Sequence, residues 1–108
     1  MGKVLAAAFS DARNVFAEVD DALGQHLSRL MWDGPEDELT LTANAQPAIM
    51  ASSLAVWRVM EKQLGIKITD AAAVAGHSLG EYSALCAAGM FSLADTARLL
   101  RLRGSAMQ

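Results

Sequence analysis

One cysteine, two prolines and no long apolar run occur in 108 residues. Each scarcity excludes something. A lone cysteine, Cys86, cannot close an internal disulfide, so no disulfide framework holds this fold and a reducing compartment fits. No apolar stretch approaches the roughly 20 residues that a membrane-spanning helix needs. Met1-Gly2-Lys3 is not followed by the apolar region and small-residue cleavage site of a secretory signal. The expectation is a soluble cytoplasmic protein with no membrane partner. Positive charge is also in short supply: nine Lys and Arg against twelve Asp and Glu leave a net charge of −3. Without a basic stripe interleaved with aromatics, nucleic acid is excluded as a partner. The only positive cluster is Arg98, Arg101 and Arg103, near the C-terminus.

What is present is apolar and small. Hydrophobic residues make up 53%, above ordinary globular usage, and much of the excess is alanine, which favours closely packed helices. The length allows one small domain with a single core. Apolar residues recur at Leu5, Ala8, Phe9, Ala12, Val15, Phe16, Val19, Ala22 and Leu23, which predicts one helix of about five turns, closed by Gly24. A short helix over Gln25–Trp32 follows. Asp33-Gly34-Pro35 is a turn, and Glu36–Leu39 makes a brief acidic helical turn. Thr40–Gln46 is polar and lacks strong periodicity. Pro47 then suits the first turn of a long helix running to Leu64, with Gly65 beyond its end.

After Gly65 the texture changes. Ile66-Lys67-Ile68 reads as a short extended piece. Ala72-Ala73-Val74-Ala75 fits helix or strand by periodicity alone; the glycine motif that follows it decides for a strand buried on both faces. Ser78–Ala88 is helical again, and Ser92-Leu93-Ala94-Asp95 resembles a capping box with Asp in place of Glu, opening a last helix. The expected fold class is α/β: about five helices with one or two short strands.

Gly76-His77-Ser78-Leu79-Gly80 carries the chemistry. In a Gly-x-Ser-x-Gly elbow the serine sits on a sharp strand-to-helix turn, and glycines two residues to either side avoid collision with neighbouring chain. Ser78 is therefore the candidate nucleophile. The Leu79 N–H, at the start of the following helix, is the candidate oxyanion donor. His77 is a poor candidate for the base, because adjacent residues on a tight turn direct their side chains apart. His26 reads as a surface or boundary histidine, and Cys86 as small core filler.

Three segments resemble the malonyl-CoA:acyl carrier protein transacylases of bacterial fatty-acid synthesis. Residues 76–85, Gly-His-Ser-Leu-Gly-Glu-Tyr-Ser-Ala-Leu, look like that family's active-site segment. Residues 42–50 are similar to its Thr-x-x-x-Gln-Pro-Ala segment, and residues 101–108 to its Arg-Gly-x-x-Met-Gln segment. Order and spacing also match, over essentially the whole chain. The resemblance implies an acyltransferase α/β-hydrolase-like subdomain. It implies Ser78 as the residue that takes malonyl from coenzyme A before transfer to the acyl carrier protein. It implies Arg103 as the group that holds the malonyl carboxylate, a task suited to a planar, permanently charged guanidinium. Gln46 would line the pocket or orient Arg103, or simply serve the helix entry. No cofactor and no metal are implied.

The family pattern also includes a first strand with a Gly-Gln-Gly-Ser-Gln loop, a catalytic histidine downstream of the arginine segment, and a ferredoxin-like subdomain. None of these is found in residues 1–108, and no histidine follows Ser78. The expectation is a partial large subdomain with little or no turnover alone. Two other readings are open. An α/β-hydrolase esterase would share only the elbow and have no use for Arg103. A non-catalytic module binding acyl carrier protein would be retained by carrier protein without forming a malonyl-serine.

Overall fold

The computed structural model describes residues 2–108. Seven α-helices follow one another: α1 (Lys3–Ala8), α2 (Ser10–Leu23), α3 (Leu27–Asp33), α4 (Glu36–Leu39), α5 (Thr42–Leu64), α6 (Gly80–Ala87) and α7 (Leu93–Met107), with one 3-10 turn at Ile68–Asp70. The long helix α5 is the centre, packed against α2 on one side and α7 on another, with α6 against both α5 and α7. Ala12, Val15, Phe16 and Val19 of α2 are buried, the i, i+3, i+4, i+7 spacing of one helix face. Phe16 meets Trp32 of α3 edge to face, with ring centroids 5.7 Å apart. No helix among the described residues is long and apolar enough to cross a membrane.

Three sequence expectations need correction. The first helix is two helices, because Phe9 lies in an extended conformation between them. The apolar repeat runs through the break because Leu5 and Phe9 still pack on the core shared with α2. Arg13 Nη1 donates to the Ala6 carbonyl at 2.8 Å, an acceptor that the break leaves without its helical donor.

The long helix starts at Thr42 rather than Pro47, so the proline lies inside it. The Asn44 and Ala45 N–H groups bond back to Leu41 O at 2.9 and 2.8 Å. Periodicity missed this first turn because its inward residues are polar: Asn44 and Gln46 are buried, at 7% and 5% exposure.

The expected strands are absent among the described residues. Ala72–Ala75 forms no ladder, and Ile68 opens the 3-10 turn instead of an extended piece. Val74, expected to be buried on both faces, is 41% exposed. A strand exists through its hydrogen-bonded neighbour, and no other described segment pairs with this one. Among the described residues the class is thus helix-rich, with seven helices where about five were expected, and no strand.

Helix α7 begins as its sequence indicates. Ser92 Oγ accepts from the Asp95 N–H at 3.1 Å, an N-cap bond. Where α7 crosses the start of α5, Gly104 is buried against backbone. A Cβ there would overlap Thr42 O and Ala43 Cα. Thr42 Oγ1 donates to Gly104 O at 2.7 Å across the same crossing. This close approach positions the site described next.

Candidate active site

The elbow follows a loop whose residues from 71 to 77 are exposed. Ser78 has φ 58°, the one non-glycine residue with positive φ among those described. That left-handed backbone costs about 1 kcal/mol or more for a residue with a Cβ. The turn is closed by Gly80 N–H to His77 O at 3.0 Å and Glu81 N–H to Ser78 O at 3.2 Å. A Cβ at Gly76 would fall on the Gly80 carbonyl, so this position has no room for a side chain. Gly80 differs from expectation: no atom lies within 4 Å of where its Cβ would be.

Arg103, 25 residues after Ser78, reaches the elbow from α7. Its Nη2 donates to Ser78 Oγ at 3.1 Å, and its Nη1 donates to Gln46 Oε1 at 2.6 Å. Its guanidinium carbon lies 5.7 Å from the centroid of the Tyr82 ring. Gln46 is held in turn by its own Nε2, 3.4 Å from Met107 Sδ. Helices α5, α6 and α7 thus each supply one wall. The ion pairs among the described residues are Lys3–Asp33, Arg58–Glu61 and Arg98–Asp95. Arg103 has no carboxylate in any of them, so its charge is met only by neutral dipoles.

The three clustered arginines therefore separate. Arg98 is exposed and pairs with Asp95 one helical turn back. Arg101 turns inward, donating to Asn44 Oδ1 at 3.0 Å and also to Gln25 Oε1. Burial draws its pKa below the usual arginine value. Gln25 Nε2 donates to Asn44 Oδ1 at 3.3 Å, and Asn44 Nδ2 to Glu38 O at 2.9 Å. This network ties the α2–α3 link, α4 and α5 to α7, a second tether beside Gly104.

Neither histidine meets Ser78. His77 is exposed on the turn and His26 is exposed before α3. An apolar cleft of about 540 Å³ lies on the other side of the elbow, lined by Ile49, Trp57, Val74, His77 and Leu79 among others. It includes neither Ser78 nor Arg103.

Cys86 is buried and free. Burial pushes its pKa above the ordinary thiol value, against the smaller lowering effects of Thr96 and Arg58, with Glu18 adding to the rise. A thiol with a raised folded-state pKa holds its proton longer folded than unfolded. Its contribution to stability is therefore complete below the unfolded thiol pKa and is lost as pH rises through the folded value. Denaturant melts should show stability falling above about pH 8.5, and Cys86→Ala should flatten that fall. An unchanged slope would contradict the assignment.

Tyr82 was not singled out from sequence, although a signal existed. It lies four residues after Ser78, in the first turn of the helix into which the elbow leads. Gly104 was also missed, since close approach between helices distant in sequence leaves no local mark.

The sequence profile of the acyl transferase domain matches residues 1–108, and the chain belongs to that family. A malonyl CoA-acyl carrier protein transacylase of Salmonella typhimurium is 45% identical over 104 residues, 96% of this chain and 33% of that protein. The crystal structure of an acyl-carrier-protein-S-malonyltransferase from Bartonella henselae superposes with a TM-score of 0.95 at 67% identity, covering 100% of this chain and 34% of that one. A malonyl-transacylase in complex with a type II polyketide acyl-carrier protein gives 0.92 at 46% identity, over 100% of this chain and 34% of that one. The chain spans about a third of the length of these relatives.

Proposed function

We propose that residues 1–108 are part of the large subdomain of a malonyl-CoA:acyl carrier protein transacylase, and that Ser78 carries the malonyl group between coenzyme A and the carrier protein. The observation behind this reading is the hydrogen bond from Arg103 Nη2 to Ser78 Oγ. A guanidinium without a carboxylate partner, placed against a serine on a strained elbow, suits an acyl group that ends in a carboxylate. In the acyl-enzyme that carboxylate lies two carbon–carbon bonds beyond the ester carbonyl, within the sweep of the arginine that contacts Ser78. An esterase reading leaves the arginine's bare charge without purpose.

The chemistry follows from the parts. Ser78 Oγ attacks the thioester carbonyl and gives up its proton to solvent water, which returns one to the departing coenzyme A thiolate. Negative charge develops on the carbonyl oxygen. The Leu79 N–H, at the start of α6, is the donor placed to meet it, and the dipole of α6 favours the same charge. Collapse of the tetrahedral intermediate expels the coenzyme A thiolate and leaves malonyl as an oxyester on Ser78. Arg103, held by Gln46, binds the carboxylate throughout. No cofactor takes part.

Neither His26 nor His77 bonds to Ser78, and a serine without a base is a weak nucleophile at neutral pH. The chain should therefore label slowly and stoichiometrically, with little turnover. Intact-mass spectrometry after prolonged incubation with malonyl-CoA should show one malonyl adduct, placed on Ser78 by peptide mapping and missing from Ser78→Ala. No adduct, or an adduct that persists in Ser78→Ala, would overturn the reading. Retention by carrier protein without any adduct would favour a binding module instead.

A further inference from the structure

Tyr82 is the ring against which the carboxylate-binding arginine is set. We propose that it is a positioning residue, fixing the direction of the Arg103 guanidinium and thereby the preference for acyl groups that end in a carboxylate. The proposal rests on the reading of Arg103 as the carboxylate-binding group. Three observations carry it. The Arg103 guanidinium carbon stands 5.7 Å from the Tyr82 ring centroid, within the range at which a ring's negative face attracts a cation. Both nitrogens that donate to Ser78 and Gln46 are terminal, Nη2 and Nη1. Those bonds fix the two tips of the fork, and the ring restrains the body of the group. Finally, no carboxylate of the described ion pairs balances this arginine, so the ring meets its charge beside the two oxygen acceptors, Ser78 Oγ and Gln46 Oε1.

Tyr82 has its place for a backbone reason. It stands in the first turn of α6, four residues beyond the elbow serine, so the elbow and the start of the helix it leads into present the acylated oxygen and the ring together. Tyr82 is half-buried and packs on the core, which holds the ring still. A long acidic residue in its place would neutralise the arginine and compete with the substrate. A neutral aromatic ring steadies the cation and leaves its charge available.

The chain contains one tyrosine, so global incorporation of fluorinated tyrosine changes this ring alone. Fluorine draws charge from the ring face with little change in volume. Malonate is the probe, titrated at a pH that keeps every phenol protonated and followed through the backbone amide signals of Ser78 and Arg103. The half-saturating malonate concentration should rise stepwise from tyrosine to mono- and difluorotyrosine. It should rise about five-fold in Tyr82→Leu and stay within about two-fold of the wild type in Tyr82→Phe. Acetate, which lacks the second carboxylate, should bind equally weakly to all forms.

Equal malonate binding across the fluorinated series overturns the proposal. So does a loss in Tyr82→Phe as large as in Tyr82→Leu, which would assign the effect to the hydroxyl. A wild-type chain that does not bind malonate at the Arg103 amide also overturns it. Should Tyr82→Leu fail to fold, the fluorinated series decides alone. Failure of Ser78 to accept malonyl, with the malonate titrations as expected, would sink the transacylase reading and leave Tyr82 in its role.

Discussion

Arg103→Ala should lower the rate of malonyl labelling of Ser78 by about 100-fold and leave acetyl labelling within a few-fold of the wild type. The malonyl carboxylate takes up charge-assisted hydrogen bonds from the guanidinium, each contributing about 1.5–3 kcal/mol. Losing two of them removes at least about 3 kcal/mol from any state that contains the carboxylate, and each 1.4 kcal/mol is a factor of ten. Acetyl has no carboxylate and makes no such bonds, so its labelling is insensitive to the change. The wild-type arginine therefore favours malonyl by stabilising its carboxylate and not by penalising acetyl. Arg103→Lys should recover only part of the lost rate, since an ammonium keeps the charge without the planar fork and cannot reach Ser78 and Gln46 with two coplanar donors. Parallel mass time courses with the two thioesters measure the ratio. Equal falls for malonyl and acetyl in Arg103→Ala would show that the arginine supports the elbow and not the substrate.

The second large effect lies at a residue without functional atoms. Gly104→Ala should destabilise the chain by about 2 kcal/mol, a fall in melting temperature of roughly 10 °C for a domain of this size. Alanine is ordinarily the better helix residue by about 1 kcal/mol, so the sign is set by packing. The added Cβ would overlap the carbonyl of Thr42 and the Cα of Ala43. Those are backbone atoms of α5 and cannot rotate away, so α7 must move off α5. The bond from Thr42 Oγ1 to Gly104 O is lost with that movement. Arg103 is the adjacent residue, and its bond to Gln46 bridges the same two helices. Malonate affinity should therefore fall together with stability. Ser105→Ala, one residue on and exposed, serves as the control and should change neither by much. Thermal melts and malonate titrations of the two variants make the comparison; a Gly104→Ala chain as stable as the wild type would mean that the crossing is looser than its atoms indicate.

Legibility from sequence depended on how local each feature's cause is. The termini of α5 and α7 illustrate this. Ser92 announces the start of α7 because a cap is a bond between residues three apart. Thr42 does not announce the start of α5, because the inward groups of that turn are Asn44 and Gln46. These are buried through hydrogen bonds to Glu38, Gln25, Arg101 and Arg103, partners that no periodicity of apolar residues reveals. The break at Phe9 was hidden for the opposite reason, since apolar residues on both sides of one extended residue still reach the same core.

The elbow divides along the same line. Its serine and the need for glycine at position 76 were legible, because strain at a tight turn arises within five residues. The strand expected before it was not found, since a strand is defined by a partner elsewhere in space.

From residues alone came the candidate nucleophile and the helical character of most of the chain, and from the family resemblance came the expectation that Arg103 serves the acyl group on Ser78. Tertiary structure decided which of three neighbouring arginines faces the serine. Arg98 stays with Asp95, Arg101 joins Asn44 and Gln25, and Arg103 alone reaches Ser78, with Gln46 and the ring of Tyr82 holding it. The physical reason is the crossing at Gly104. How closely α7 approaches α5 sets the direction in which each α7 side chain points, and that approach depends on atoms about 60 residues apart in the chain.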